Sequence, residues 1–303
     1  MNTEILRFNA EVASELSEQR AAIVALESTV IAHGLPRPRN LETALHLEAI
    51  IRECGATPAT IAVIKGQLHV GLERAQLDEI ANNDDVHKLS RRDLPLALAN
   101  NWNGATTVAT TAWIAEQAGI RVFATGGIGG VHRGSLPDVS ADLPELARSS
   151  LTVVCSGAKI VLDLEATREW LETYGITVVG FGCDEMPAFY SRLSGLPVDA
   201  RVETFEEAAR IAQARRKLGL EGATLVTVPV PAGSEIPAAD FKGILAQALS
   251  QADAEKIAGR DLTPFLLSRM AADSHGATLE ANIALLENNA RVAAGIALAL
   301  SQL

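Results

Sequence analysis

The stretch Arg121 to Asp163, RVFATGGIGGVHRGSLPDVSADLPELARSSLTVVCSGAKIVLD, decides the fold. Two apolar runs of strand length, Val122 to Thr125 and Leu151 to Cys155, enclose a short helical segment, Asp142 to Ser149. Its first turn is acidic, which suits the positive end of a helix dipole. Strands that are apolar at every position fit a sheet covered on both faces, the habit of parallel α/β sheets.

The same alternation continues outward. Ala21 to Leu26, Ala59 to Ile64, Thr177 to Phe181 and Leu225 to Val230 read as strands, and Gly66 to Val70 as a short strand or hairpin arm. Leu41 to Cys54, Leu72 to Asn82, Thr106 to Ala118, Leu162 to Tyr174 and Thr204 to Leu218 read as helices. Thr204 and Glu207 have capping-box spacing. Two prolines make Gly34 to Asn40 a loop. Three further helices, Pro237 to Ala252, Pro264 to Ala272 and Thr278 to Leu303, close the chain. Strands alternating with helices predict an α/β fold, a three-layer α/β/α sandwich around a mostly parallel, mixed central sheet. With no repeat, low-complexity tract or linker, one domain over residues 1–303 is expected.

Composition narrows the function. The chain has 303 residues, a net charge of −11, 48% hydrophobic and 21% charged residues. That acidity excludes a nucleic-acid polymer as partner, which needs a basic footprint. A small anion remains compatible, because Lys88, Arg91 and Arg92 cluster locally. Cys54, Cys155 and Cys183 show no C-x-x-C spacing, so no disulfide framework or zinc site is indicated; each reads as a buried small hydrophobe. The N-terminus lacks a basic then apolar pattern, and no run approaches the roughly 20 apolar residues of a membrane span. The expectation is a soluble, cytoplasmic protein, ordered beyond its first dozen residues, with no membrane partner.

Several residues could carry chemistry. Lys159 follows a buried strand through the turn Ser156-Gly157-Ala158, at the strand's carboxyl end, where open α/β sheets bind ligands. An amine confined there can attack a carbonyl carbon; the plainer reading is a surface lysine opening a helix. Glu27 ends the first strand in the same position, and beside an apolar wall its carboxyl can keep a proton and act as an acid. It equally fits a solvated loop or a cap. GGIGGVHRG fits neither the dinucleotide fingerprint nor the P-loop spacing. What remains is backbone able to approach a ligand closely, with His132 and Arg133 able to meet an anion, or a connecting loop. Asp138 and Asp142, with Ser140 between them, suit Mg²⁺ or Mn²⁺, or an ordinary helix start. Asn282 falls on the inward seam of the last helix with Leu279, Ile283 and Leu286, and a buried Asn needs partners.

With these residues in view, the chain resembles the pseudouridine-5′-phosphate glycosidases, relatives of the indigoidine-biosynthesis A proteins. The likeness runs nearly end to end through ALEST (Ala25 to Thr29), IAHGLPRP (Ile31 to Pro38), PATIAVI (Pro58 to Ile64), SRRDLP (Ser90 to Pro95), NGATTVA (Asn103 to Ala109), FATGGIGGVHRG (Phe123 to Gly134), DVSADL (Asp138 to Leu143), VVCSGAK (Val153 to Lys159) and TPFLL (Thr263 to Leu267). The resemblance implies an enzyme that interconverts pseudouridine 5′-phosphate and water with uracil and ribose 5-phosphate, breaking a C–C glycosidic bond. It implies that Lys159 forms a covalent adduct with sugar C1′, that Glu27 donates a proton, and that Asn282 belongs to the active site. It implies substrate contacts at Lys88, Val108, Ser140, Ala141 and Asp142, and Mn²⁺ on Asp138. His132 and Arg133 are assigned to the phosphate on their own chemistry. A homotrimer follows from the same likeness. The spacing between GGVHRG and DVSADL is shortened, which bears on the metal ligand. Two other readings stay open: a different Schiff-base lyase or glycosidase on a related sugar phosphate, and a non-catalytic sugar-phosphate sensor.

Overall fold

The computed structural model describes residues 5–18, 21–133, 138–257 and 262–303. In chain order the elements are β1 (Leu6–Phe8), α1 (Ala10–Ser17), β2 (Ile23–Leu26), α2 (Arg39–Glu53), β3 (Thr57–Ile64), β4 (Gln67–Val70), α3 (Arg74–Asn82), β5 (His87–Leu89), α4 (Leu94–Ala99), β6 (Gly104–Thr106), α5 (Val108–Gln117) and β7 (Val122–Ala124). There follow α6 (Asp142–Leu146), β8 (Thr152–Cys155), α7 (Leu164–Thr173), β9 (Thr177–Phe181), β10 (Ala200–Val202), α8 (Phe205–Lys217), β11 (Thr224–Thr227), α9 (Ala238–Glu255), α10 (Leu262–Asp273) and α11 (Ala277–Ser301).

The strands run β1-β4-β3-β2-β7-β8-β11-β9-β10 across one sheet, with β6 pairing β3 and β5. From β3 through β2 to β10 every neighbouring pair is parallel. The antiparallel pairs are β3 with β4 and β3 with β6. This is the mostly parallel, mixed sheet flanked by helices that the alternating pattern predicts. Strands β2, β7, β8 and β11 are buried at every position, which is why their sequences are continuously apolar rather than alternating.

Helix α11 lies against β2, β7 and β8, with α2 on one side and α8 on the other. Its 25 residues are long and apolar enough to cross a bilayer, but 67% of the apolar window is buried inside the fold. It is therefore a core helix. Helix α8 carries the predicted capping box, with the Glu207 N–H donating to Thr204 Oγ1 at 3.2 Å and the Thr204 N–H donating to Glu207 Oε2 at 3.2 Å.

Some boundaries move. Thr106 closes β6 instead of opening a helix: its N–H donates to Ser28 Oγ and its hydroxyl to the Ile61 carbonyl. The helix begins at Val108, with Thr107 as its N-cap. The strand expected over Leu225 to Val230 stops at Thr227, ahead of Pro229 and Pro231, which cannot donate to a ladder. The loop expected through Asn40 already turns helical at Arg39. Asn40 is buried there, its amide donating to the carbonyls of Ile31 and Ala81, each at 2.9 Å. Cys54 is exposed at the end of α2 rather than buried. Order also reaches into the first dozen residues, because Leu6 to Phe8 pair with Leu68 to Val70.

Candidate active site

Three neighbouring parallel strands, β2, β7 and β8, end side by side. Past their carboxyl ends stand Glu27, Thr125 and the turn Ser156 to Lys159. A cavity of about 440 Å³ opens there, outside the strand ends, where open α/β sheets place ligands.

Glu27 is only 8% exposed and accepts a short hydrogen bond from the Thr125 hydroxyl. Burial raises its carboxyl above the ordinary glutamate range, against the opposing pull of Lys159 and the Thr125 hydrogen bond; Asp142 adds to the rise. The residue after it is rigidly held. Ser28 is fully buried, donates to the Ile61 carbonyl at 2.6 Å and accepts the Thr106 N–H at 2.8 Å. The ALEST turn is thus pinned to two neighbouring strands by polar groups with no water to compete.

The glycine loop is structural backbone, not a loose connection. Gly126 to Gly130 are buried. The Ile128 N–H donates to the Gly157 carbonyl and the Lys159 N–H to the Ile128 carbonyl, each at 3.1 Å. These bonds extend the β7–β8 pairing beyond the strands and set the base of the Lys159 side chain at the cavity wall. A Cβ on Gly129 would sit 2.2 Å from Ser140 Oγ and 2.7 Å from Asp142 Oδ2. Only glycine lets the loop pass that close.

Asp142 is buried, and both its oxygens are engaged. Oδ1 accepts the Ala109 N–H at 2.9 Å and Oδ2 the Gly129 N–H at 2.8 Å. It therefore ties the first turn of α5 to the glycine loop. Val108 and Thr107, which open α5, line the cavity beside Lys88, Ser140 and Ala141. The start of α5 presents the positive end of a helix dipole there.

Of the predicted site residues, Glu27, Lys88, Val108, His132, Asp138, Ser140, Ala141, Asp142, Lys159 and Asn282 all line this one cavity. Arg133 does not; it is exposed, beyond the rim. Of the basic cluster Lys88, Arg91 and Arg92, Arg91 pairs with Glu145 at 2.7 Å, while Arg92 lines the cavity. Cys155 is fully buried and its thiol is pushed up to about 12 by burial, so it is no nucleophile.

Sequence reasoning missed four residues. Asn289 is fully buried, and its amide donates to the Thr125 carbonyl at 2.9 Å and lies 3.2 Å from Ser156 Oγ. It clamps the backbone behind Glu27's partner and ahead of Lys159. Its signal was present, two helical turns after Asn282 on the same inward face. Thr125 itself was read only as a strand end. Thr29 precedes a π-helical turn, Val30–Gly34, His33 lies within it, and both line the cavity. Nothing in their spacing marks such a turn.

Among the described residues no group of three or more His, Cys, Asp or Glu side chains gathers into a metal cage. Asp138 alone presents its carboxylate at the cavity wall, with no side-chain hydrogen bond or ion pair to a described residue. A single carboxylate completed by waters and ligand oxygens is the usual setting for Mg²⁺, and a hard Mn²⁺ fits it too.

Comparison with known proteins places the chain. The family profile described as Indigoidine synthase A like protein matches residues 11–299. The chain belongs to this family. Within the Indigoidine synthase A like proteins, it is 49% identical to the pseudouridine-5′-phosphate glycosidase of Geobacillus kaustophilus (strain HTA426), over 98% of this chain and 99% of that one. It is 54% identical to the protein of the same name from Herpetosiphon aurantiacus, over 92% and 93% of the two chains. At this identity and coverage it is a member of the pseudouridine-5′-phosphate glycosidases within the Indigoidine synthase A like family. Among solved structures, the prealnumycin C-glycosynthase AlnA in complex with ribulose 5-phosphate superposes with a TM-score of 0.89 at 40% identity, over 98% of this chain and 97% of that one.

Proposed function

We propose that the protein reversibly cleaves the C–C glycosidic bond of pseudouridine 5′-phosphate with water, giving uracil and ribose 5-phosphate. One observation carries this reading: a buried carboxyl, Glu27, raised above its ordinary range by burial, shares the wall of a single cavity with a lysine, Lys159. The names of near full-length relatives and the sugar phosphate in the C-glycosynthase structure support it.

Lys88 and the first turn of α5 at Val108 suit the phosphate, as a cation and a helix N-terminus do, with Ser140 and Ala141 beside them and His132 on the rim. The Glu27 carboxyl gives its proton to the ribose ring oxygen as the C1′–O4′ bond opens. The Lys159 amine then adds to C1′ and passes an N–H proton to the Glu27 carboxylate. The amine's electron pair forms a C1′=N iminium while the C1′–C5 bond breaks and C5 of the base takes that proton from Glu27. Uracil departs. Water adds to C1′, the Lys159 nitrogen leaves, and ribose 5-phosphate is released. The iminium supplies the electron sink that a C–C bond otherwise lacks. Asn282, on α11, lines the same cavity and would contact the reacting sugar or base. Asp138 would hold Mn²⁺, which when bound orients oxygens and stabilises negative charge. We further propose a cytoplasmic homotrimer, checked by light scattering on a sizing column.

The test is direct. Incubation with pseudouridine 5′-phosphate should release uracil, and borohydride should trap a sugar-phosphate adduct on Lys159, visible by mass spectrometry. Lys159→Ala should lose turnover and trapping while retaining ribose 5-phosphate binding. Binding without uracil release or adduct in the wild-type protein would instead favour a sensor.

A further inference from the structure

Glu27 has two oxygens, and the fold treats them differently. Oε1 accepts the Thr125 hydroxyl. Oε2 has no hydrogen bond to a described residue, yet it is not sealed off as Thr29 Oγ1 and His33 Nε2 are. It is the oxygen left open. Glu27 lines the catalytic cavity and Thr125 does not. Thr125 is only 1% exposed and stands behind the carboxyl, where Leu26, Leu47 and Leu286 surround a void of about 20 Å³ with both residues. The threonine therefore acts through Glu27 and not by contact with a ligand.

Both partners are held by backbone. The Thr125 N–H donates to the Val154 carbonyl at 3.0 Å, and its carbonyl accepts the Asn289 amide at 2.9 Å. A β-branched side chain on a fixed backbone has few rotamers. Beside Glu27, Ser28 is bonded to the Ile61 carbonyl and the Thr106 N–H. The contact is thus set by neighbouring strands and not by two mobile side chains. A protonated carboxyl has one carbonyl oxygen and one hydroxyl oxygen. A hydroxyl that donates to Oε1 makes Oε1 the carbonyl and leaves the proton to Oε2. When that proton leaves, the same bond runs from a hydroxyl to a carboxylate and becomes roughly twice as strong. An interaction that strengthens as the proton departs lowers the barrier itself.

We propose that Thr125 is the positioning residue of the general acid: its hydroxyl keeps the Glu27 proton on Oε2, the open oxygen, and steadies the carboxylate once that proton is given up. The kinetic consequences rest on the pseudouridine reading; the placement of the proton does not. Burial opposes the charged form of Glu27, Lys159 and Lys88 favour it, and Asp142 opposes it. Arg92, Asp93, Asp138, His33 and His132 share the cavity wall. All of these stay in place when Thr125 is replaced, so a change in the behaviour of Glu27 reports the hydroxyl.

The experiment replaces Thr125 in the full-length protein. Thr125→Val removes the hydroxyl and keeps the β-branched shape. Its kcat for uracil release should fall about tenfold, the scale of one hydrogen bond to a charged group. Ribose 5-phosphate affinity should change less than about twofold, because a bond to the enzyme's own acid adds little to ground-state binding. The fall in rate that follows loss of the Glu27 proton should move to higher pH, since the carboxylate has lost a donor. Thr125→Ser, which keeps a hydroxyl, should restore most of the rate and the wild-type pH profile. Thr125→Ala also lacks the hydroxyl and replaces the valine variant if thermal melts show that one misfolded. Infrared difference spectra of the Glu27 carboxyl, identified by its absence in Glu27→Gln, need no catalytic assumption. The C=O band should rise in frequency in Thr125→Val, as a carbonyl does on losing a donor. An unmoved band, an unmoved pH profile, or a serine variant no better than valine would overturn the proposal. If the band moves but the wild-type protein releases no uracil, the proposed activity is overturned and the placement of the proton stands.

Discussion

Glu27 illustrates how one residue trades stability for chemistry. Its carboxyl is raised by burial, so in the folded protein it holds a proton that the unfolded chain releases at ordinary glutamate pH. Stability is therefore fullest below that ordinary range and falls as pH rises toward the raised folded value. Glu27→Gln removes the ionisation. We expect its kcat to fall about 10²–10⁴-fold, the usual contribution of a general acid. The melting temperature of the variant should decline less than that of the wild type as pH rises above the ordinary glutamate range. Differential scanning calorimetry across that window, beside uracil-release rates, checks both. The wild-type rate should also drop as pH climbs through the raised value. A different single side chain governs the metal. Asp138→Asn should weaken Mn²⁺ binding at least about tenfold when titrated calorimetrically, with no sugar phosphate present.

Elements matter here through their ends. The sequence placed Lys159 after one strand and Glu27 after another, but the glycine loop brings them into register by hydrogen bonding Ile128 to Gly157 and Lys159. Helix α11 then locks that arrangement from beneath through Asn289, which bridges Thr125 and Ser156. Asn289→Leu keeps size but leaves the Thr125 carbonyl without its donor. A destabilisation of about 1–3 kcal/mol follows from one buried unsatisfied group, and kcat should fall more than KM rises, because catalytic geometry is lost rather than contact. Denaturant melts and steady-state kinetics of the variant give both quantities. The long apolar elements were legible in the sequence because their periodicity or continuity runs over many residues. Strands β1, β5, β6 and β10 were not, for each has only three residues and, unlike the equally short β7, none is a continuous apolar run.

At the scale of the whole molecule, the sheet order puts β2 beside β7 and β8 although it lies far from them in the chain. Glu27, Thr125 and Lys159 become neighbours through that order alone. Residues from α11, the β5–β6 region and the loop around Asp138 then close the cavity. A site drawn from so many elements exists only in the folded state, so its ligand must stabilise the whole fold. Ribose 5-phosphate at a hundred times its Kd should add about 2.7 kcal/mol, a rise in Tm of several degrees at most, and inorganic phosphate should give less. Thermal melts across a ligand series measure this directly.

The sequence by itself determined the α/β class, the strands of the sheet centre and most of the chemical groups, because buried strands must be apolar throughout and the motif strings carry their side chains with them. It named ten residues that line one cavity. Tertiary structure alone decided the rest. Asp142 braces two backbone segments, Arg133 lies outside the cavity, and Thr29 Oγ1 and His33 Nε2 are buried with no hydrogen-bond partner among the described residues. The reason is physical: a hydrogen bond between residues a hundred positions apart, or a polar atom left without one, depends on which surfaces meet on folding, and no local pattern of residues records that.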